Sequence, residues 1–237
     1  MSKRFRSIKK SVKARAPWLV PIYSYFCWNF VIRPRWRKLG MAIFTEHYRR
    51  NGWGSGESVS GEGSTVEQTA VIRAALPNIV RDFQIRTVLD IPCGDFNWMK
   101  LLELPVQYTG ADIVEELVTE NQRRFGKLGR SFTRLDLTAD ALPAADLILC
   151  RDCLFHLSYE HISQALANIK RSGSRFLLTT TNTRLEQNKN IVTGEWRRLN
   201  LQLPPFSLPA PLLLLDEKCP NPASPDKHLG LWRISDL

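Results

Sequence analysis

Residues 87–96 read Thr87-Val88-Leu89-Asp90-Ile91-Pro92-Cys93-Gly94-Asp95-Phe96. A short β-prone run ends on an acid, and a turn containing Pro and Gly follows. Gly94 permits close approach of backbone to a ligand. Asp90 stands where a positively charged amino group can be recognised.

Working outward, short apolar runs alternate with helical patterns. Strands are expected at 86–91, 107–113, 131–136, 145–150 and 175–181, and helices at 97–104, 114–125 and 158–172. Ser158 is placed to cap the last of these, and Gly173 to end it. Before the first strand, 66–83 has helical periodicity with Pro77 as a kink point. Strands alternating with helices imply an α/β fold: a doubly wound, mostly parallel, Rossmann-like sheet covered on both faces. The prolines at 204, 205, 209, 211, 220, 222 and 225 break up the C-terminal third. There, 212–215 and 229–234 are expected to close the sheet as an antiparallel hairpin.

In such a sheet, ligands bind at the carboxyl ends of the strands. The second strand ends in Gly110-Ala111-Asp112 and the third in Leu135-Asp136-Leu137. Asp112 follows Asp90 by 22 residues, the separation at which an acid bonds ribose hydroxyls in nucleotide-binding sheets. Each acid alone is as well explained by a helix cap or a solvated loop end. Three acids at three successive strand ends favour a nucleotide-like ligand.

Residues 87–181 resemble class I S-adenosylmethionine-dependent methyltransferases, whose first motif has the form Leu-Asp-x-Gly-x-Gly-x-Gly. The resemblance implies that Asp90 and Gly94 hold the methionine part of S-adenosylmethionine, Asp112 the ribose, and Asp136 with Leu137 the adenine. Pro92, Cys93, Ile113 and Arg151 complete the expected cofactor set. The stretch 146–157, Asp-Leu-Ile-Leu-Cys-Arg-Asp-Cys-Leu-Phe-His-Leu, is similar to the family's fourth strand and the segment after it. The chain departs from the motif at Pro92 and Phe96, where glycines are expected. A pyrophosphate cradle would suffer from that loss, whereas an S-adenosylmethionine site has no phosphate to cradle. A nicotinamide-dependent oxidoreductase is the weaker enzyme reading for the same reason.

Methyl transfer needs alignment, and a base if the acceptor is a hydroxyl. His156 and Asp152 come after the fourth strand and are the expected catalytic residues, His156 having the pKa better suited to a base. A packed or capping histidine is the plain alternative. Cys150-x-x-Cys153-x-x-His156 has a metal-like spacing, but a buried Cys150 at a strand end points away from Cys153, so no metal is expected. Beyond the fifth strand, Asn182, Asn190, Thr193, Trp196 and Arg197 are expected to form a polar wall with one stacking surface for a small or glycan-type acceptor. An ordinary surface loop is the alternative. The absence of an Asn-Pro-Pro-Tyr type motif after the fourth strand tilts the acceptor toward oxygen. A non-catalytic methyltransferase-like module and a nucleic-acid methyltransferase complete the alternatives.

The composition is that of a globular protein, with 237 residues, 43% apolar and 24% charged. The formal net charge of +10 is unevenly placed. Residues 1–50 hold 13 Lys and Arg against the single acid Glu46, leaving 20 bases and 22 acids for the rest. The chain therefore divides into a basic aromatic arm at 1–50, a Gly/Ser-rich loop or lid at 51–65, and a methyltransferase domain at 66–237. The body lacks a basic face, so nucleic acid is a poor partner. The apolar stretch 16–32 is 17 residues long and is interrupted by Pro17, Pro21, Ser24 and Asn29, which argues against a membrane span. Its aromatic residues among bases suit residues 1–38 either to the inner face of a membrane or to packing on the body. Five cysteines without framework spacing suit a reducing, cytoplasmic setting.

Overall fold

The computed structural model describes residues 33–237. Trp18, Tyr23, Tyr25 and Trp28, on which much of the membrane expectation rests, lie outside the described residues. Residues 43–237 form one compact unit, and residues up to Ala42 belong to another. The Gly/Ser-rich stretch 51–65 is thus folded into the same unit as the sheet. Among the described residues no helix is long and apolar enough to cross a membrane.

Four α-helices are described: α1 (Arg33–Arg49), α2 (Ala70–Asp82), α3 (Glu115–Phe125) and α4 (Tyr159–Arg171). The seven strands are β1 (Thr87–Asp90), β2 (Gln107–Asp112), β3 (Arg130–Arg134), β4 (Leu147–Cys150), β5 (Phe176–Asn182), β6 (Leu213–Asp216) and β7 (Lys227–Arg233). They form one sheet in the order β3-β2-β1-β4-β5-β7-β6. The first five are parallel; β7 runs antiparallel to both β5 and β6. The expected doubly wound sheet with a C-terminal antiparallel hairpin is therefore present, its switch point lying between β1 and β4.

Strand β4 shows why the centre of the sheet reads as an unbroken apolar run. Its side chains alternate between faces, and both faces are covered. Ile148 and Cys150 join Leu89, Leu177, Trp232 and the α4 residues Ile162, Ala165 and Ile169 in one core. Leu147 and Leu149 join Val88, Leu178 and the α2 residues Ile72, Leu76, Ile79 and Val80 in the other. Ser158 caps α4 as expected, its hydroxyl accepting from His161 N at 3.3 Å.

Three local expectations change. The helix at 97–104 contracts to a 3-10 turn, Met99–Leu101, because the Trp98 and Met99 side chains are drawn into the α2-side core. The helix at 66–83 starts at Ala70, since turns occupy the residues before it. Strand β3 stops at Arg134, so Asp136 lies in the next turn rather than at the strand end.

Candidate active site

The carboxyl end of β1 delivers Asp90 into a buried position, 3% exposed. Asp90 lies on the same face as Val88, whose partner across the ladder is Tyr108. The Tyr108 hydroxyl donates to Asp90 Oδ2 at 2.6 Å. Burial pushes the Asp90 carboxyl up to about 7, against the pull of that hydrogen bond and of Arg151. A buried carboxyl so poised is stabilised in its ionised form by an arriving cation.

Beyond Asp90 the chain turns through Pro92 and Cys93 to Gly94, which has φ 56°. A Cβ at Gly94 would collide with Ser60 Oγ, so both the backbone conformation and the space require glycine. Cys93 is buried, and burial followed by the nearby Asp112 and Asp90 raises its thiol well above the ordinary range. It packs as a neutral thiol. Asp112, at the end of β2, accepts from Gly94 N at 3.2 Å and Val114 N at 3.0 Å. One carboxylate thereby ties the first turn to the start of α3 across Ile113. Burial raises Asp112 to about 6 despite these backbone donors. A carboxylate has about four acceptor sites, so Asp112 retains capacity for hydroxyl donors.

Asp136 closes an Asx turn: its Oδ1 accepts from Thr138 N at 2.8 Å and Thr138 Oγ1 at 2.6 Å. Leu137 is buried, and its carbonyl accepts from Asn168 Nδ2 at 2.9 Å. Asp136 thus forms a buried turn, neither a helix cap nor a solvated loop end, and keeps further acceptor capacity. These groups fit the parts of S-adenosylmethionine: a buried carboxyl for an ammonium, a second carboxylate for ribose hydroxyls, and an apolar side chain beside an acid for adenine.

Binding of the cofactor product, S-adenosylhomocysteine, is expected to release protons below neutrality. Its ammonium favours ionised Asp90, so affinity increases as pH rises toward about 7 and then levels off. Calorimetry at pH 6 in two buffers of different ionisation enthalpy reads the released proton directly. Identical heats in both buffers would overturn the expectation.

After β4, Arg151 and Asp152 enter a buried ionic quartet. Arg151 makes a two-pronged contact with Glu217, at 2.7 and 3.2 Å. Lys227 Nζ lies 2.7 Å from Asp152 Oδ2 and 3.2 Å from Glu217 Oε2. Arg151 also donates to the Gly63 carbonyl at 2.7 Å. The two cations and two carboxylates balance, as burial of charge demands. Burial alone would raise Asp152, but Arg151 and Lys227 outweigh it and hold the carboxyl at about 2. It stays ionised and is a poor proton acceptor.

His156 differs. Its Nδ1 lies 3.0 Å from the Glu195 carbonyl oxygen, which requires a proton on Nδ1 and leaves the lone pair on Nε2. Burial lowers its pKa to about 4, over the opposing effects of that hydrogen bond and of Asp152. Its ring lies 4.4 Å from that of Trp53 and 4.7 Å from that of Phe155. Cys150 and Cys153 are free thiols in side-chain contact, contrary to the expectation that Cys150 points away, and that contact and burial raise Cys153 well above the ordinary range. Among the described residues no group of three or more His, Cys, Asp or Glu is placed to hold a metal ion.

The expected acceptor wall is arranged otherwise. Asn182 donates to Ser224 Oγ and Asp226 Oδ1 and accepts from Leu199 N. Asn190 Oδ1 accepts from Tyr159 N, and Thr193 Oγ1 from Ser158 N. Arg197 donates to the Leu154 and Leu157 carbonyls at 3.0 and 2.7 Å. A segment with little regular structure must satisfy its own and its neighbours' backbone groups, and these side chains do so. Trp196 remains exposed, its ring 6.3 Å from Phe155.

Several residues of the site escape a linear reading. Glu217 meets Arg151, and Lys227 meets Asp152, because β7 inserts between β5 and β6. Tyr108 had a signal: it lies four residues before Asp112 on an alternating strand, on the face that carries Asp90. Asp95 and Trp53 had none beyond their residue types.

The methyltransferase domain family model matches residues 88–173. No curated protein matches by sequence. The fold is similar to that of 1,6-didemethyltoxoflavin-N1-methyltransferase from Burkholderia thailandensis, solved with 1,6-didemethyltoxoflavin and S-adenosylhomocysteine. That match has 18% identity over 85% of this chain and 89% of the other, with a TM-score of 0.58. The methyltransferase domain of bacterial CtHen1-C is similar at 13% identity over 70% of this chain and 97% of that one, with a TM-score of 0.52. The matched segment contains β1 through α4, and with them Asp90, Asp112, Asp136 and His156. Residues 88–173 are thus similar to the methyltransferase domain family, and the sheet has the same fold as these two methyltransferase structures.

Proposed function

We propose that the protein methylates a hydroxyl group of a small acceptor, with His156 as the general base. The observation that carries this reading is the placement of the His156 imidazole after β4, with Nδ1 3.0 Å from the Glu195 carbonyl oxygen, which leaves the Nε2 lone pair to accept a proton. The toxoflavin enzyme's name describes methylation at nitrogen, so the fold alone does not choose the acceptor atom. A neutral nitrogen nucleophile already has its lone pair, whereas a hydroxyl gains most of its reactivity by losing a proton.

S-Adenosylmethionine supplies a methyl group activated on a positively charged sulfur. Asp90 would hold the cofactor's ammonium, Asp112 its ribose hydroxyls, and Asp136 with Leu137 its adenine. The remaining work falls to positioning. Nε2 of His156 takes the acceptor's proton as the oxygen attacks, and the imidazolium then returns it to solvent. Asp152, fixed by Lys227 and Thr180, favours the transient positive charge on His156 without itself moving a proton. Trp196 offers one exposed stacking face next to Phe155. Because Asn182, Asn190, Thr193 and Arg197 are engaged by the chain, a ring-bearing small acceptor suits the site better than an extended glycan.

The direct test is transfer of a tritiated methyl group from S-adenosylmethionine to a fractionated small-molecule extract. Label is expected in a low-molecular-mass fraction as a methyl ether. Label confined to nitrogen or carbon, or to macromolecules, would overturn the proposal.

A further inference from the structure

The Gly/Ser-rich stretch touches the site at three separated points. At the cofactor turn, Asp95 accepts from Ser58 Oγ at 2.9 Å and from Val59 N at 3.0 Å, while its own N–H donates to Ser60 Oγ at 2.9 Å. At the ionic quartet, the Gly63 carbonyl takes a hydrogen bond from Arg151, and a Cβ on Gly63 would reach the Asp152 carboxylate. At the other end, Trp53 stacks on His47 with ring centroids 4.3 Å apart and planes 10° from parallel. Its ring also lies 4.4 Å from that of His156, tilted by 43°. Gly61 φ is 93°, and a side chain there would press on Trp53 Cβ, so the chain bends back where the indole needs room.

We infer that residues 53–63 form a clasp joining the cofactor turn to the proposed base, with Trp53 as a positioning residue for His156. One hydrogen bond at Nδ1 leaves the imidazole free to rock about that bond. The indole against one side and the Phe155 edge against another fix the ring plane, and with it the direction of Nε2. Trp53 reaches this place only while the strap lies down, and the Asp95 bonds to Ser58, Val59 and Ser60 hold it down. Closure over the cofactor turn and alignment of the base are one event.

The positioning role rests on the reading of His156 as base and can be tested without knowing the acceptor. The imidazole's surroundings are specific: the His47 ring beyond Trp53 and the Arg197 guanidinium oppose its protonation, Asp152 and the Glu195 carbonyl favour it, and burial dominates. Trp53 supplies part of that burial. Nitrogen-15 NMR titration of the full chain follows its four histidines, with His156→Gln assigning the resonance. Trp53→Ala is expected to move the His156 midpoint up by about one unit or more, toward the ordinary value of roughly 6.5. Trp53→Phe keeps a ring in place and retains most of the depression. Asp95→Ala, at the far end of the strap, is expected to shift His156 in the same direction as Trp53→Ala. If Trp53→Ala does not fold, Trp53→Leu carries the same comparison with a smaller apolar filler.

An unmoved midpoint in the Trp53 variants would overturn the positioning role. Movement there without movement in Asp95→Ala would overturn the coupling. Either result stands whether or not methyl transfer needs His156. Full transfer activity in His156→Gln would instead remove the base and leave the titrations to judge the clasp.

Discussion

Asp112→Ala raises the dissociation constant for S-adenosylhomocysteine at least 100-fold, measured by titration calorimetry. Two effects act together. On the proposed role, the variant loses a carboxylate acceptor for ribose hydroxyls, and a hydrogen bond to a charged group contributes about 1.5–3 kcal/mol. Two such bonds amount to roughly two to four orders of magnitude in affinity. The variant also strands Gly94 N and Val114 N, from which Asp112 accepts at 3.2 and 3.0 Å. The cofactor turn then loses its tether to the start of α3. Asp112→Asn keeps one oxygen acceptor and should fall between the two. Affinity within threefold of wild type, in an Asp112→Ala protein that melts cooperatively, would remove Asp112 from the cofactor site.

His156→Gln lowers kcat by about 10²–10⁴-fold while S-adenosylhomocysteine affinity stays unchanged. That range is what general-base catalysis typically contributes. Glutamine can still bond to the Glu195 carbonyl, so packing is largely kept and the lost function is proton acceptance. The pH profile gives an independent sign. The base works when unprotonated, and burial holds His156 at about 4, so kcat declines only as pH falls through that region. An ordinary imidazole would begin to lose activity near 6.5. A wild-type profile flat from pH 8 to 5 that then falls, with that limb absent in His156→Gln, is the expected pattern. A variant retaining wild-type kcat would end the base assignment.

Asp152 and Arg151 show how much residue type can say and where it stops. Both follow β4, where the family resemblance places functional residues. Their chemistry is set by Glu217 and Lys227, which are 66 and 75 residues away in sequence. With Arg151 and Lys227 beside it, Asp152 becomes a fixed anion instead of a base. Asn182, Asn190, Thr193 and Arg197 carry a parallel lesson. Amides, hydroxyls and guanidinium groups have the same donors and acceptors whether they meet a ligand or an orphaned carbonyl. In a segment with little regular structure the chain's own needs come first.

The amino-acid sequence by itself determined the doubly wound sheet and the strand ends at which Asp90 and Asp112 stand. Strand and helix periodicity are local properties, and the acids Asp90, Asp112 and Asp136 succeed the strands at intervals set by the length of a strand-helix unit. Ser158 as a cap and the closing hairpin were legible for the same reason. Only the tertiary structure decided how His156 is protonated, which charges surround Asp152, and that residues 53–63 lie across the cofactor turn with Trp53 against His156. Those properties depend on burial and on contacts between distant segments. The free energy of an ionised or hydrogen-bonded group is fixed by everything within a few ångströms of it, whatever its distance along the chain.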